Sequence, residues 1–280
     1  MMRSRSFRAQ DQAGGHNLHY TEWGDADAPV ILCIHGLTQN ARSFDVIAAE
    51  LAETHRIICL DVVGRGESDW LTDPMHYGFP QYVADTYALI AHLGVPAVDL
   101  VGTSMGGIIG MFLAAQQGAP IQRLVLNDVG PFVPREAVER IRDYVGTDPD
   151  FPDLKAYEEY LRYIWSPFGV LSDDQWRHLA ATSSRTTETG AISPNYDPDI
   201  RQPLIAAPIE DADLWAFWDV ISAPTLVLRG ARSDLLTADI ASQMMKRGPK
   251  AQVVTFEGVG HAPALMAPDQ VEVIQRFLSE

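Results

Sequence analysis

The stretch Ala97-Val-Asp-Leu-Val-Gly-Thr-Ser104-Met-Gly-Gly107 joins an apolar run to a helical pattern, and it decides the fold of this chain. The run that ends at Val101 is short and almost wholly apolar, which is typical of a strand buried on both faces. Gly102 and Gly106 lack side chains, so a strand and a helix can approach closely on either side of Ser104. The Gly-x-Ser-x-Gly pattern in this setting predicts a tight turn that lifts the Ser104 hydroxyl above a sheet.

Apolar runs and helical patterns alternate along most of the chain. Besides the run at 97–101, buried strands are predicted at residues 30–34, 56–60, 123–126, 224–228 and 252–256. Two segments of mixed polarity, 6–12 and 17–23, are typical of edge strands joined by a turn at Gly14-Gly15. Helical periodicity lies between the strands, at residues 43–53, 81–93, 105–117, 238–247 and 268–278. This alternation predicts an α/β fold: a doubly wound, mostly parallel eight-stranded sheet with helices on both faces.

One interval, residues 131–222, breaks the alternation. It contains no buried-strand run, and helical patterns recur in it, for example at 153–165 and 173–181. It also holds 13 of the 25 aromatic residues and carries 8 basic against 17 acidic residues, a charge of −9. We interpret it as a helical cap inserted into a core made of residues 1–130 and 223–280. Most of its aromatic side chains must form its own core, and the remainder are expected to line a pocket. An aromatic and acidic cap suggests a neutral or mildly cationic substrate with an apolar part.

The composition argues against several classes of protein. The net charge of −16 repels nucleic acid and anionic membrane surfaces, so neither is expected as a partner. Residues 1–12 hold no apolar run of the signal-peptide kind, and no stretch of 18 apolar residues occurs in the chain. Cys33 and Cys59 lie inside apolar runs, which predicts buried, reduced thiols. We therefore expect a cytoplasmic protein that acts on a small molecule. The sequence leaves the oligomeric state open.

A serine hydroxyl is a weak nucleophile unless a base takes its proton. Of the eight histidines, His261 follows the last buried strand, and the carboxyl ends of parallel strands meet at one edge of the sheet. We therefore predict His261 as the base for Ser104. The base needs a carboxylate to fix its tautomer. Asp234 and Asp128 each follow a predicted strand that ends on this edge; Asp234 is preferred, and Asp128 is the alternative acid.

Two backbone amides are candidates for an oxyanion hole. Gly36 follows the first core strand and allows a sharp turn, which directs the Leu37 amide towards Ser104. The Met105 amide, at the start of the helix after Ser104, is the second candidate donor. His35 is predicted to bond within its own loop rather than to transfer protons.

These motifs together resemble the α/β-hydrolase superfamily along nearly the whole chain. The resemblance rests on His35-Gly36, Asp61-Val-Val-Gly-Arg-Gly-Glu-Ser68, the turn at Ser104, Asp234 and Gly260-His261, in that order. It implies that the Asp61 loop is a structural turn and that a helical cap follows the sixth strand. It also implies a serine hydrolase of a small carboxylic ester or lactone, working without a cofactor or metal. Relatives that dehalogenate or open epoxides carry aspartate where Ser104 stands.

Two other functions stay open on the same fold. Enzymes that hydrolyse a carbon–carbon bond in dienoic ring-cleavage products resemble this chain in the Ser-Met-Gly-Gly sequence and the cap. They usually carry Asn and Trp where Thr103 and Ala262 stand here. Other relatives are receptors that keep the triad and turn over slowly. A wide apolar pocket would favour acyl esters, whereas a small cavity with a cap arginine facing Ser104 would favour carbon–carbon cleavage.

Overall fold

The computed structural model describes residues 1–10 and 15–279, and its centre is one eight-stranded sheet. The sheet order is β1-β2-β4-β3-β5-β6-β11-β12. β1 and β2 pair with each other, and β2 with β4, in antiparallel fashion; the other neighbours are parallel. The predicted α/β class and mostly parallel sheet are confirmed. The strands are β1 (Arg3–Ala9), β2 (His16–Trp23), β3 (Val30–Ile34), β4 (Arg56–Leu60), β5 (Val98–Thr103), β6 (Ile121–Asn127), β7 (Phe132–Val133), β8 (Ser184–Thr186), β9 (Ile192–Pro194), β10 (Ala212–Asp213), β11 (Thr225–Gly230) and β12 (Gln252–Phe256).

Ten α-helices follow or separate these strands along the described chain. They are α1 (Asp45–Leu51), α2 (Phe79–Leu93), α3 (Met105–Ala114), α4 (Arg135–Tyr144), α5 (Leu154–Ile164), α6 (Asp173–Thr182), α7 (Gln202–Ala206), α8 (Trp215–Trp218), α9 (Ala238–Met244) and α10 (Pro268–Ser279). Short 3-10 turns lie at Ala41–Phe44, Pro74–His76, Ser166–Phe168 and Pro198–Arg201. None of the helices in the described ranges is long and apolar enough to cross a bilayer.

Side chains alternate between the two faces of the sheet, and each face has its own core. Along β3, Leu32 and Ile34 join a cluster with α2, α3 and α9, whereas Ile31 and Cys33 join a second cluster with α1 and α10. This alternation is the period of two expected of a strand, applied to a run that is apolar on both sides. Cys33 is the register partner of Cys59, and both thiols are free and buried, as predicted.

The first strand begins earlier than its sequence pattern suggested. The prediction of a strand over residues 6–12 is wrong in its bounds, because β1 covers Arg3–Ala9. Its register pairs Phe7 with Leu18 and Ala9 with His16, which buries the inward side chains of both strands. Residues 11 and 12 of the predicted strand, and Gly14 of the predicted turn, lie outside the described residues.

The segment between β6 and β11 adds no strand to the main sheet. Residues 131–222 form α4 to α8 together with two small antiparallel pairs, β7 with β10 and β8 with β9. The helices predicted at 153–165 and 173–181 are α5 and α6. Buried residues of these two helices, including Tyr157 and Trp176, pack into a cluster of their own with Trp165, which directly follows α5, and with Met266. Six of the 13 aromatic residues of the segment lie in this cluster or pack against it, whereas four others join the large cluster that includes the main sheet: Phe132, Tyr196, Trp215 and Trp218. The prediction that most of them form a core of the segment's own is therefore wrong.

Candidate active site

Ser104 lies between β5 and α3 at a backbone conformation that few side chains adopt. Its φ is 52° and its ψ is −114°. A Cβ at Gly102 would stand 2.4 Å from the Gly106 carbonyl oxygen, and one at Gly106 would stand 2.0 Å from the Ile34 carbonyl oxygen. Both positions therefore require glycine, since the helix and two strands meet without room for a side chain. The strain at Ser104 is held in place by this close packing.

His261 is in the loop after β12 and contacts Ser104 directly. Its Nε2 is 2.9 Å from the Ser104 Oγ, and its Nδ1 is 2.8 Å from an oxygen of Asp128. A carboxylate only accepts hydrogen bonds, so the proton of a neutral ring belongs on Nδ1, and Nε2 accepts from the serine hydroxyl. The structure thus brings together Ser104 and His261, the pair that the sequence proposed.

Asp128 is the carboxylate at His261, and its side chain is fully buried. It follows β6 at a positive φ of 56°. One oxygen accepts from His261 and from the Ser233 hydroxyl at 2.5 Å, and the other accepts from the Gly230 amide at 2.8 Å. Three hydrogen bonds satisfy a buried charge that would otherwise be costly to desolvate.

Asp234 does not reach His261, which corrects the preference for it over Asp128. Its side chain is 57% exposed and pairs with Arg140 of α4 at 2.9 Å. The reason lies in the preceding residue. The Ser233 hydroxyl accepts from the amides of Leu235 and Leu236 while it donates to Asp128. This arrangement turns Ser233 inwards, and the next side chain in the loop is left facing solvent.

The two predicted oxyanion amides border the same site. Leu37 lines the cavity above Ser104, and Met105 is the first residue of α3, where amide groups lack an intrahelical acceptor. Across residues 1–10 and 15–279, neither amide donates to an acceptor in the protein. The fully buried Arg65 ties the two residues together, because its Nε donates to the Leu37 carbonyl and its Nη2 lies 3.7 Å from the Met105 sulfur.

His35 and Asp61 hold backbone rather than face the cavity. The ring of His35 bonds to the Gly36 carbonyl through Nδ1 and accepts from the Val62 amide through Nε2. Complete burial lowers the pKa of His35 to about 4, so the ring is neutral. Asp61 accepts from the Ala41 amide and from other groups near its own turn. Both arrangements agree with the structural roles expected of them.

A cavity of about 550 Å³ lies between Ser104 and the segment 131–222. Its walls are mostly apolar and aromatic, and they include Tyr144, Tyr163, Trp165, Phe168, Ile141, Ile164 and Pro167 from the segment. Pro167 also accepts a hydrogen bond of 2.7 Å from the Gly260 amide, next to His261. A separate groove of about 610 Å³ at the other end of α3 is lined by no titratable side chain, so the chemistry belongs to the first cavity. Among the described residues, no group of three or more His, Cys, Asp or Glu side chains is arranged to hold a metal ion.

Comparison with known proteins decides the family. The model of the α/β-hydrolase family matches residues 31–273. The chain belongs to the α/β-hydrolase family. A 3-hydroxybutyrate-oligomer hydrolase from Cupriavidus necator is 41% identical in an alignment of 276 residues that covers 95% of this chain and 94% of that protein. A solved structure of a protein from Rickettsia typhi has a TM-score of 0.92 at 33% identity, and the match covers 100% of this chain and 99% of that protein's chain. The solved structure of an α/β hydrolase from Novosphingobium aromaticivorans has a TM-score of 0.89 at 37% identity, and the match covers 99% of this chain and 98% of that protein's chain.

This family membership makes the protein a hydrolase. Three residues of the site were not indicated by the sequence. Ser233 holds Asp128, Arg65 holds Leu37, and Arg140 lines the cavity. Ser233 directly precedes Asp234. Its polar side chain is a signal in the sequence, but the neighbouring carboxylate is the stronger candidate for a partner of His261. Arg65 belongs to the turn that starts at Asp61, and the pattern of that turn does not indicate a contact with Leu37. Nothing in the sequence places Arg140 at the cavity, since the pattern of α4 does not show which face of the helix is directed towards Ser104.

Proposed function

We propose that this α/β hydrolase cleaves a small carboxylic ester through an acyl-enzyme on Ser104. The observation that carries the proposal is the continuous contact from the Ser104 Oγ to His261 and on to the buried Asp128 carboxylate. Nucleophile, base and orienting acid stand within hydrogen-bond reach, as a covalent mechanism requires. In the chain, the order is Ser104, Asp128, His261, with the acid after β6.

The first half of the reaction forms the acyl-enzyme. The Ser104 Oγ attacks the ester carbonyl carbon, and its proton passes to Nε2 of His261. Asp128 stabilises the resulting imidazolium through the Nδ1 hydrogen bond. The amides of Leu37 and Met105 stabilise the negative charge that develops on the carbonyl oxygen. The carbon–oxygen bond to the alcohol then breaks, and His261 returns its proton to the departing oxygen.

The second half releases the acid. Water gives a proton to Nε2 of His261 as its oxygen attacks the acyl carbon, and a second oxyanion forms at the same two amides. The bond to the Ser104 Oγ breaks, His261 protonates that oxygen, and the carboxylic acid leaves. The enzyme returns to its starting state, and the net change is ester plus water to acid plus alcohol.

The segment 131–222 is proposed as the cap that bounds the substrate. Its aromatic side chains supply much of the cavity wall, and a volume of about 550 Å³ suits a small ligand. The relative from Cupriavidus necator is named for 3-hydroxybutyrate oligomers, which are linear esters of a short hydroxy acid. We therefore propose short oligoesters of this kind as the substrate class to test first.

The test compares the protein with Ser104→Ala on 4-nitrophenyl butyrate and on the linear 3-hydroxybutyrate dimer. The unaltered protein is expected to hydrolyse both, and the variant is expected to lose the activity because it has no nucleophile. Unfolding temperatures of the two proteins serve as the control for folding. Equal rates in both proteins would contradict the proposal. Stabilisation by one ligand, with turnover below one per site, would instead point to a receptor.

A carbon–carbon hydrolase is the second candidate, and the observation that favours it is Arg140. This arginine of the segment lines the cavity together with Ser104. A dienoic ring-cleavage product offered beside the butyrate ester separates the two candidates. Ester hydrolysis without cleavage of the dienoic compound supports the first, and the reverse supports the second.

A further inference from the structure

Arg140 is the one cationic side chain that lines the cavity above Ser104 within the described residues, and no aspartate or glutamate lines it. This composition contrasts with the net charge of −16 of the whole chain and with −9 in residues 131–222. The acidic residues of the segment therefore face elsewhere. A cationic substrate would find no carboxylate in this lining, so the lining favours a neutral or anionic substrate over the cationic part of that expectation.

The guanidinium of Arg140 is held by Asp234. The Nε and Nη2 groups donate to the two carboxylate oxygens at 2.9 and 3.0 Å. Asp234 is half exposed and does not itself line the cavity. A guanidinium has five N–H donors in a rigid planar fork, and this pairing uses only one edge of it. The described residues offer no acceptor to Nη1, so donors remain for a second anion.

The surroundings leave room for such a contact. Tyr144, Tyr163, Trp165 and Phe168 also line the cavity, and the Arg140 side chain is 44% exposed. A charge-assisted hydrogen bond between arginine and carboxylate is stronger than a hydrogen bond between neutral groups. Asp234 lies on the solvent side, where water and salt screen its charge, so it fixes the guanidinium without fully cancelling the attraction for an anion.

We infer that Arg140 binds a carboxylate carried by the substrate and that Asp234 is a positioning residue that orients the guanidinium. The inference rests on the proposed function and narrows its substrate class to esters with a free carboxylate, such as linear oligoesters of hydroxy acids. Asp234 thus acts at the edge of the same cavity, through Arg140 and not through His261.

The experiment uses two substrates with the same ester bond between their hydroxy-acid units. The linear 3-hydroxybutyrate dimer has a free carboxylate, and its methyl ester does not. Chromatography of the released 3-hydroxybutyrate and its methyl ester gives kcat/KM for that bond in each compound. The ratio of the two values, dimer over methyl ester, is the readout, because a general loss of activity changes both values equally. We expect the full-length protein to favour the dimer.

Three variants test the role of Arg140. Arg140→Ala is expected to lower the ratio by about 10- to 100-fold, mainly through KM, because it removes charge-assisted hydrogen bonds. Arg140→Lys keeps the charge without the fork and is expected to lower it less. Arg135→Ala is the matched control, since it removes the same charge from the same helix at an exposed position paired with Glu139. It is expected to keep the ratio of the unaltered protein.

Failure of the inference and failure of the proposed function give different results. An unchanged ratio in Arg140→Ala, with hydrolysis still abolished by Ser104→Ala, would overturn the carboxylate site alone. Preference of the unaltered protein for the methyl ester, or hydrolysis of 4-nitrophenyl butyrate without hydrolysis of the dimer, would overturn it too. Absence of hydrolysis of all three esters would instead contradict the proposed function. Circular dichroism of each variant shows whether it is folded, and Arg140→Lys decides the case if Arg140→Ala is not.

Discussion

The loops after β6 and β11 start from neighbouring parallel strands and each carry an aspartate, yet the two side chains end in opposite environments. Asp128, after β6, is fully buried and accepts three hydrogen bonds. Asp234, after β11, is 57% exposed and bonds to Arg140 at the surface. Both strands end at the same edge of the sheet, so position along the chain does not separate the two carboxylates.

The difference shows that β11 and the loop after it donate hydrogen bonds to the proposed catalytic acid, Asp128, although the acid itself follows β6. The amide of Gly230, the last residue of β11, and the hydroxyl of Ser233 in the loop that follows both donate to Asp128. A buried carboxylate is stable only if its oxygens are satisfied, and here the neighbouring strand and its loop provide two of the three donors. Two adjacent loops therefore form one acid site, and the second loop is left free to direct Asp234 towards Arg140.

The sharpest test of this comparison exchanges each aspartate for asparagine. Asp128→Asn is expected to lower kcat by about 10,000-fold, because an amide no longer fixes the productive tautomer of His261 or stabilises its cation. Asp234→Asn is expected to lower kcat on 4-nitrophenyl butyrate by less than about tenfold, since a half-exposed ion pair contributes little. Steady-state rates on this ester, with thermal unfolding as the folding control, give both values. A large loss in Asp234→Asn with near-normal activity in Asp128→Asn would reverse the assignment.

The sequence was informative wherever a local pattern or a general rule of parallel sheets fixes the position of a residue. Ser104 was found because Gly102 and Gly106 are needed for a turn that packs a helix onto two strands. His261 was found because the carboxyl ends of parallel strands converge at one edge of the sheet. The strand at 252–256 was bounded correctly, but the prediction that it is buried is wrong, because β12 is an edge strand in which only Phe256 is buried.

The choice between Asp128 and Asp234 was beyond the sequence because it depends on which side chain of a loop turns inwards. That direction is set by hydrogen bonds of Ser233 to two amides of its own loop, and no periodicity encodes them. The side chains that line the cavity could not be predicted from the sequence either. Arg140 lies on a helix whose docking against the core depends on contacts distant in sequence, and the net charge of the segment gives no sign of the charge that its inner face presents.

A smaller effect is expected from removing the support that the second loop gives to the first. Ser233→Ala takes away one of the three donors to the Asp128 carboxylate. We expect the free energy of unfolding to fall by about 1–3 kcal/mol, the range for a buried polar group that loses a partner. We also expect kcat to fall by far less than in Asp128→Asn, because His261 and the Gly230 amide still hold the carboxylate. Urea unfolding and steady-state kinetics measure the two effects. Thr237→Ala, which removes the side-chain cap of α9, is a control for a lost hydroxyl away from Asp128.

A third carboxylate, Asp45, extends the comparison to an environment between these two extremes. It is buried, it pairs with Arg42, and it lies 3.2 Å from the Nε2 of His178 on α6. The hydrogen bond to Asp45 raises the pKa of His178, whereas partial burial and the charge of Arg42 act in the opposite direction. A histidine whose pKa is higher in the folded protein stabilises it fully below the unfolded pKa of about 6.5 and loses this contribution as the pH rises through the folded pKa.

The smallest predicted effect follows from this sign. His178→Gln is expected to lower the free energy of unfolding by up to about 1 kcal/mol at pH 5.5 and by clearly less at pH 8.5. Urea unfolding of both proteins at the two pH values gives the difference. Arg177→Gln is the control, because this neighbouring side chain pairs with Asp174 at the surface and keeps its charge throughout the range, so its effect is expected to be the same at both pH values. A greater loss for His178→Gln at pH 8.5 than at pH 5.5 would contradict the prediction, because it would mean that burial of the neutral His178 ring outweighs its ion pair with Asp45. Asp45 would then differ from Asp234, whose partner Arg140 is a permanent cation.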